Sequence, residues 1–126
     1  GSSPKFSVFN TALMSAQSAK TFDEARSDHE YWGRLVESSI GAHILNSIRG
    51  TQIEVFYWRE GDKEVDFVLK KGDRITAIEV KSGTKKMKES GMDKFVSAFR
   101  PDCVLLVGNN GIPVQDFLSS PISDFI

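Results

Sequence analysis

Three charged residues near the middle of the chain have the types and spacing of a metal-dependent hydrolytic site. Glu79, Val80 and Lys81 close an apolar run, and Asp66 lies in the apolar run before it. Alternate side chains of a β-strand share a face, so Glu79 and Lys81 are predicted to point the same way. Carboxylates suit Mg²⁺ or Mn²⁺, and an ammonium beside them can activate a water or stabilise charge on a phosphate. We predict Asp66, Glu79 and Lys81 as catalytic residues, with the two carboxylates as metal ligands.

The pairing of Asp66 with Glu79 depends on the turn between their strands. If Gly72 and Asp73 form a two-residue hairpin turn, Lys71 pairs with Arg74, and counting back places Asp66 opposite Glu79. Directly opposed residues have Cβ atoms about 4.5–5.5 Å apart, where two bare carboxylates would repel each other. A divalent cation between them removes this repulsion, whereas a longer turn would break the register.

Glu37 is predicted as the third metal ligand. On a helical wheel it shares the inward face of its segment with Ile40 and Ile44, flanked by Gly33 and Gly41. Burying an unpaired carboxylate costs several kcal/mol, on the order of what removal of one ion-pair partner costs. The two glycines would let the helix approach the sheet closely, which would bring Glu37 to the strand acids.

Each of these patterns also has a purely structural interpretation. Glu79 and Lys81 are also typical of an exposed ion pair on an edge strand. The basic run that contains Lys85, Lys86 and Lys88 would contact a nucleic-acid backbone or form a solvated face, and Arg59 is a further predicted nucleic-acid contact.

The aromatic and metal-ligand residue types elsewhere favour structural roles. The aromatic run 56–58 would stack bases or, as we favour, pack in the core. His29 and His43 lack zinc-ligand spacing, and Cys103 lies in an apolar run typical of a core.

The periodicity of the chain predicts a mixed α/β domain around these residues. Ser27 and Glu30 have the spacing of a capping box at the start of a long helix that ends near Gly50. Turn residues separate three strand-like runs, and Pro101 ends a later helix. The predicted strands are 5–9, 52–59, 63–70, 74–82 and 103–107; the predicted helices are 10–18, about 27–49 and 88–99, with a loop at 19–27.

Composition sets the class of protein. The 126 residues, with 40% hydrophobic and 26% charged residues, suffice for one domain. Gly1 to Ser3 resemble a cloning scar, which leaves 4–126 as the domain. No run approaches the length of a membrane helix, and the single cysteine predicts a cytoplasmic location. The formal net charge of −1 argues against non-specific coating of DNA.

Together these motifs resemble the PD-(D/E)XK nuclease superfamily. The sequence around these motifs is similar to the domain of unknown function that follows an AAA+ ATPase module in a prokaryotic protein family. Val65 stands where the motif has proline, and the chain has no phosphate-binding G-x-x-x-x-G-K-[ST] loop. The segments that carry the resemblance are 33–37, 57–59, 64–69, 78–83, 105–108 and 111–113.

The resemblance implies a restriction-endonuclease-like fold, with a mixed central sheet flanked by helices in a single domain. It implies Mg²⁺- or Mn²⁺-dependent hydrolysis of phosphodiesters, with DNA as the nucleic acid, in a chain attached to an AAA+ ATPase. It equally allows an inactive module on the same scaffold that binds nucleic acid or a protein and regulates that ATPase. Superfamily nucleases are often dimers, so a homodimer is open, although no exposed seam is evident in the sequence. A purely structural domain would leave Glu37 unexplained.

Overall fold

The centre of the fold is a mixed β-sheet, which a computed structural model describes through residues 5–8, 29–82 and 89–126. Its main path runs β1–β2–β3–β4–β6, and β5 pairs with β3 off this path. The pairs β1–β2, β2–β3 and β3–β4 are antiparallel, whereas β6 is parallel to β4 and β5 is parallel to β3. The strands are β1 (Lys5–Val8), β2 (Glu54–Glu60), β3 (Lys63–Lys71), β4 (Arg74–Lys81), β5 (Glu89–Ser90) and β6 (Cys103–Gly108).

A long helix, α1 (His29–Ser47), covers one face of the sheet. Its residues Val36, Ile40 and Ile44 recur every four positions and therefore form one apolar stripe. They pack against Phe67 and Ile78, among other strand residues. The helix ends in a turn where Gly50 has φ of 73°, a left-handed conformation that glycine adopts without steric cost. We call this side of the sheet the α1 face.

The opposite side of the sheet, the α2 face, carries a smaller core. Helix α2 (Met92–Phe99) inserts Phe95 between Trp58, Val65 and Ala77. The chain closes with α3 (Val114–Ser119) and a 3₁₀ turn (Ile122–Phe125), which return to the α1 face. The molecule is thus a small mixed α/β domain with helices on both faces of its sheet.

Most predicted elements are confirmed with shifted ends. The predicted turn is present, with Lys71 opposite Arg74, and the long helix ends two residues before Arg49. The predicted helix 88–99 is wrong at its start, because 89–90 form β5 and α2 begins at Met92. The tail helix α3 and the 3₁₀ turn had no predicted counterpart. The predicted helix 10–18, the loop 19–27 and Ser27 of the capping box lie outside the described residues.

The apolar run of β6 is buried on one face of the sheet and open on the other. Val107 is fully buried on the α1 face, whereas Val104 is 48% exposed. Helix α2 has eight residues and reaches mainly β3, so it leaves the α2-face side of this edge strand open. Cys103, predicted in the core, is only partly buried. Within the described part of the chain, no helix is long and apolar enough to cross a membrane.

Candidate functional site

A β-bulge in β3 sets the position of Asp66. Phe56 pairs with Val68 and Trp58 with Val65, so Asp66 and Phe67 together oppose the single residue Tyr57. The extra residue bends β3 and interrupts its alternation. Val65 and Val68 consequently both lie in the α2-face core. Bulges of this kind re-aim side chains and are frequent beside functional sites.

The bulge directs the Asp66 carboxylate toward β4. Its Oδ2 accepts a hydrogen bond of 2.8 Å from the backbone N–H of Val80, and Asp66 is 7% exposed. In a regular antiparallel ladder a carbonyl of β3 would accept from that N–H. The last pair of the β3–β4 ladder is Phe67 with Ile78. The Asp66 side chain therefore replaces a backbone carbonyl as the acceptor for Val80, at the point where the two strands separate.

This hydrogen bond places Asp66 beside both members of the E-x-K motif, because Val80 lies between Glu79 and Lys81. Ile78 and Val80 pack on the α1 face, so alternation directs Glu79 and Lys81 to the α2 face. Glu79 is partly buried and Lys81 is exposed. The predicted common direction of Glu79 and Lys81 follows from this placement, with Asp66 between the strands at their shared end.

Gly108 of β6 fixes the backbone of Lys81. The two residues are partners in the parallel β4–β6 ladder, and Asn109 N–H donates to the Lys81 carbonyl at 3.1 Å. A β-carbon on Gly108 would overlap the Lys81 carbonyl, and Gly108 has φ of 110°, which side chains rarely adopt. Glycine is therefore required here for the turn after β6 to close against the motif lysine.

Glu37 lies one helical turn from the place where α1 approaches this end of the sheet. A β-carbon built on Gly33, one turn earlier, would lie 3.0 Å from Ser82 Oγ, so the helix start approaches the residue that follows β4. The predicted close approach is thus present at Gly33. Glu37 itself is partly buried. It approaches from the face opposite to the one that alternation assigns to Glu79.

The predicted metal ligands lie on both sides of one strand end. Over residues 5–8, 29–82 and 89–126, no group of three or more His, Cys, Asp or Glu side chains is arranged to hold a metal ion. Asp66 and Glu79 come to the same strand end, and Glu37 lies on the other side of it. A shared ion among Glu37, Asp66 and Glu79 stays a prediction.

The predicted nucleic-acid contacts are only partly described. Arg59 is exposed on β2, where it pairs with Glu64 and with Lys5 of β1. Lys85, Lys86 and Lys88 lie outside the described residues.

Core packing, the favoured interpretation of the aromatic run, is confirmed for Trp58. Phe56 is partly buried and packs against the same core, whereas Tyr57 is partly buried and belongs to neither described core cluster. Trp58 is a core residue with 1% exposure, and the ring of His43 contacts Phe117 and bonds the carbonyl of Ser120 at 2.9 Å.

Comparison with protein-family models matches residues 32–125 to a family described as Domain of unknown function (DUF4143). This chain belongs to that family. DUF4143 domains follow AAA-type ATPase domains, which is the arrangement that the sequence resemblance implied. No match was found among curated proteins or among solved structures. Because the DUF4143 family is uncharacterised, its membership adds no activity to the site described above.

Two features of this DUF4143 site were not predicted from the sequence. The bulge at Asp66 inserts a residue without any glycine or proline to mark it, so alternation alone gives the wrong face. Gly108 was visible as a glycine after an apolar strand, a pattern typical of any turn. Its contact with Lys81 follows only from the pairing of β6 with β4.

Proposed function

We propose that this domain hydrolyses phosphodiester bonds of nucleic acid, with DNA as the substrate, on a restriction-endonuclease-like scaffold of the PD-(D/E)XK type. One observation carries the proposal. The buried carboxylate of Asp66 leaves the regular strand path and bonds the N–H of Val80, which puts it beside Glu79 and Lys81. These two carboxylates and the lysine, at the end of β3 and β4 where the strands separate, form the donor set that such hydrolysis needs.

The donor set fits Mg²⁺ or Mn²⁺. Mg²⁺ is commonly held by one or two carboxylates and retains several waters, so Asp66 and Glu79 suffice as protein ligands and Glu37 would act as an additional one. When bound, such an ion lowers the pKa of a coordinated water and neutralises charge on a phosphate. The Val80 N–H keeps the Asp66 carboxylate oriented toward that position without an ion.

The exposed side chain of Lys81 suits the role that we propose for it in binding a phosphate or orienting a water. Its backbone is fixed by Gly108 and Asn109, while its side chain is exposed at the strand end. An ammonium there would bind a phosphate oxygen of the substrate or orient the attacking water. A fixed backbone with an exposed ammonium suits a group that meets a substrate arriving from solvent.

The proposal is tested first by calorimetric titration of Mn²⁺ and Mg²⁺ into the wild-type chain and into Asp66→Asn, Glu79→Gln and Glu37→Gln. Glu54→Gln is the matched control, because Glu54 is an exposed acid of β2 that pairs with Lys70 away from the site. We expect saturable binding that Asp66→Asn and Glu79→Gln abolish and Glu54→Gln preserves. Cleavage of single-stranded, duplex and branched DNA is then screened with the same variants.

A second function, regulation of an attached ATPase by a non-catalytic module, is favoured by two observations. The described residues hold no group of three metal-type ligands, and the formal net charge of −1 provides little attraction for DNA. Absence of Mn²⁺ binding by a folded wild-type chain would select this function over hydrolysis.

A further inference from the structure

The α2 face contains a groove that the proposed hydrolysis does not use. It has a volume of about 450 Å³, within the usual range of small-molecule pockets. Its floor is formed by Trp58, Val68 and Phe95, all at most 1% exposed, and its rim includes Phe99, Ile75 and Lys70. The groove therefore has an apolar floor and a single charged residue at its edge.

Two polar groups of the groove have no partner among the residues that the structure describes. The indole Nε1 of Trp58 is buried and has no hydrogen-bond acceptor there. A buried donor without a partner costs about 1–3 kcal/mol, so such groups usually meet a water or a ligand. Lys70 is exposed and takes part in no ion pair with any described residue, although Glu54 lies opposite it across the strand.

The side chains that line the groove donate hydrogen bonds and accept none. Lys70 offers an ammonium, the Trp58 N–H is a buried donor, and the other lining side chains are hydrocarbon. A peptide segment or a nucleobase would bring its own N–H donors into a place without side-chain acceptors, and each buried unsatisfied donor is costly. A ligand with an apolar body and an end that only accepts hydrogen bonds avoids this cost.

We infer that the groove binds a small amphipathic carboxylic acid. Its apolar body lies between α2 and the sheet, against Phe95 and Phe99, and its carboxylate meets Lys70 at the rim. The Trp58 Nε1 is itself buried beneath the groove surface, so the Lys70 ammonium is the polar group that the ligand meets. This site is separate from Asp66 and Glu79 and does not depend on the proposed hydrolysis.

The test uses naphthaleneacetate, with its uncharged methyl ester as the matched ligand, followed by proton–nitrogen NMR. The chain has two tryptophans, and Trp32 packs on the α1 face, so its indole N–H is an internal control. We expect a saturable shift of the Trp58 indole resonance and none of Trp32. The acid should bind more tightly than the ester by about 2- to 5-fold, the range of an exposed ion pair.

Charge-reversal variants of two neighbouring lysines test whether the charge of Lys70 at the groove rim determines the preference for the acid. Lys70→Glu should remove or invert the preference for the acid over the ester, whereas Lys71→Glu, an exposed change one residue on, should preserve it. The inference is overturned if the Trp58 resonance does not move in a folded chain, or moves together with that of Trp32. It is equally overturned if both lysine variants behave alike, or if an uncharged apolar peptide or a thymidine oligonucleotide displaces the acid at lower concentration.

Discussion

Asp66 and Val80 are joined by a hydrogen bond of 2.8 Å from the Val80 backbone N–H to the Asp66 carboxylate, at the point where β3 and β4 separate. One side chain here continues a backbone ladder and also belongs to the proposed catalytic set. The structural and chemical roles of Asp66 can be separated by the choice of substitution. The hydrogen bond to Val80 needs only an acceptor oxygen, whereas metal binding needs the negative charge.

Asp66→Ala removes the acceptor of a buried N–H, since Val80 is 4% exposed. We expect a loss of about 1–3 kcal/mol in the free energy of unfolding. Asp66→Asn retains an oxygen that can accept the same hydrogen bond and should lose less, while still abolishing Mn²⁺ binding. Urea denaturation and calorimetry of both variants check this. Equal destabilisation by the two changes would contradict the structural role assigned to the hydrogen bond.

Lys81→Met should separate chemistry from metal binding. The Lys81 side chain is exposed at the strand end, so its removal leaves Asp66 and Glu79 in place. We expect Mn²⁺ affinity to be preserved and cleavage to fall by about 100-fold or more, the usual effect of removing one group that stabilises developing charge. Single-turnover cleavage with saturating Mn²⁺ measures this. A Lys81→Met variant that cleaves at the wild-type rate would exclude Lys81 from the reaction.

Gly91→Ala should destabilise the α2 face. A β-carbon at Gly91 would lie 2.8 Å from Trp58 Cζ3 and 3.0 Å from the backbone nitrogen of Glu64. Backbone cannot move aside without breaking the β5–β3 pairing, so we expect a loss of about 1–3 kcal/mol in the free energy of unfolding.

Gly33→Ala is the matched control for Gly91→Ala. Among the described residues its new β-carbon meets only the hydroxyl of Ser82, which can rotate away, and alanine favours the helix by up to about 1 kcal/mol. The control should therefore be neutral or stabilising in the same denaturation experiment. Destabilisation of Gly33→Ala to the extent seen for Gly91→Ala would show that α1 has no room to adjust at Ser82.

Two valines of β6 should respond very differently to truncation. Val107 is fully buried and Val104 is 48% exposed. Val107→Ala should cost about 1.5–3 kcal/mol, because it removes two buried methyl groups and leaves a cavity. Val104→Ala should stay within about 0.5 kcal/mol of the wild type. Thermal and urea unfolding of the pair measure the difference, and a similar cost at both positions would mean that Val104 is covered in solution.

Local sequence signals account for the elements and for part of the site. Gly72-Asp73 between two apolar runs specifies a tight hairpin, so the pairing of Lys71 with Arg74 was predictable. The four-residue spacing of Val36, Ile40 and Ile44 specifies which side of α1 is buried. Alternation in β4 specifies that Glu79 and Lys81 share a face. Each of these follows from interactions between residues close together in the chain.

What the chain could not specify locally is which residues meet across the sheet. The two-residue segment 89–90 pairs with β3, although its sequence favours a helix start, because the chain before α2 runs alongside Lys63 and Glu64. Val104 stays exposed because a short α2 does not extend over β6. The bulge that turns Asp66 toward Val80 arises from the simultaneous pairing of β3 with β2 and β4, which no single segment encodes. The sequence therefore determined the residue types of the site and their strands, and only tertiary pairing decided where the Asp66 carboxylate points.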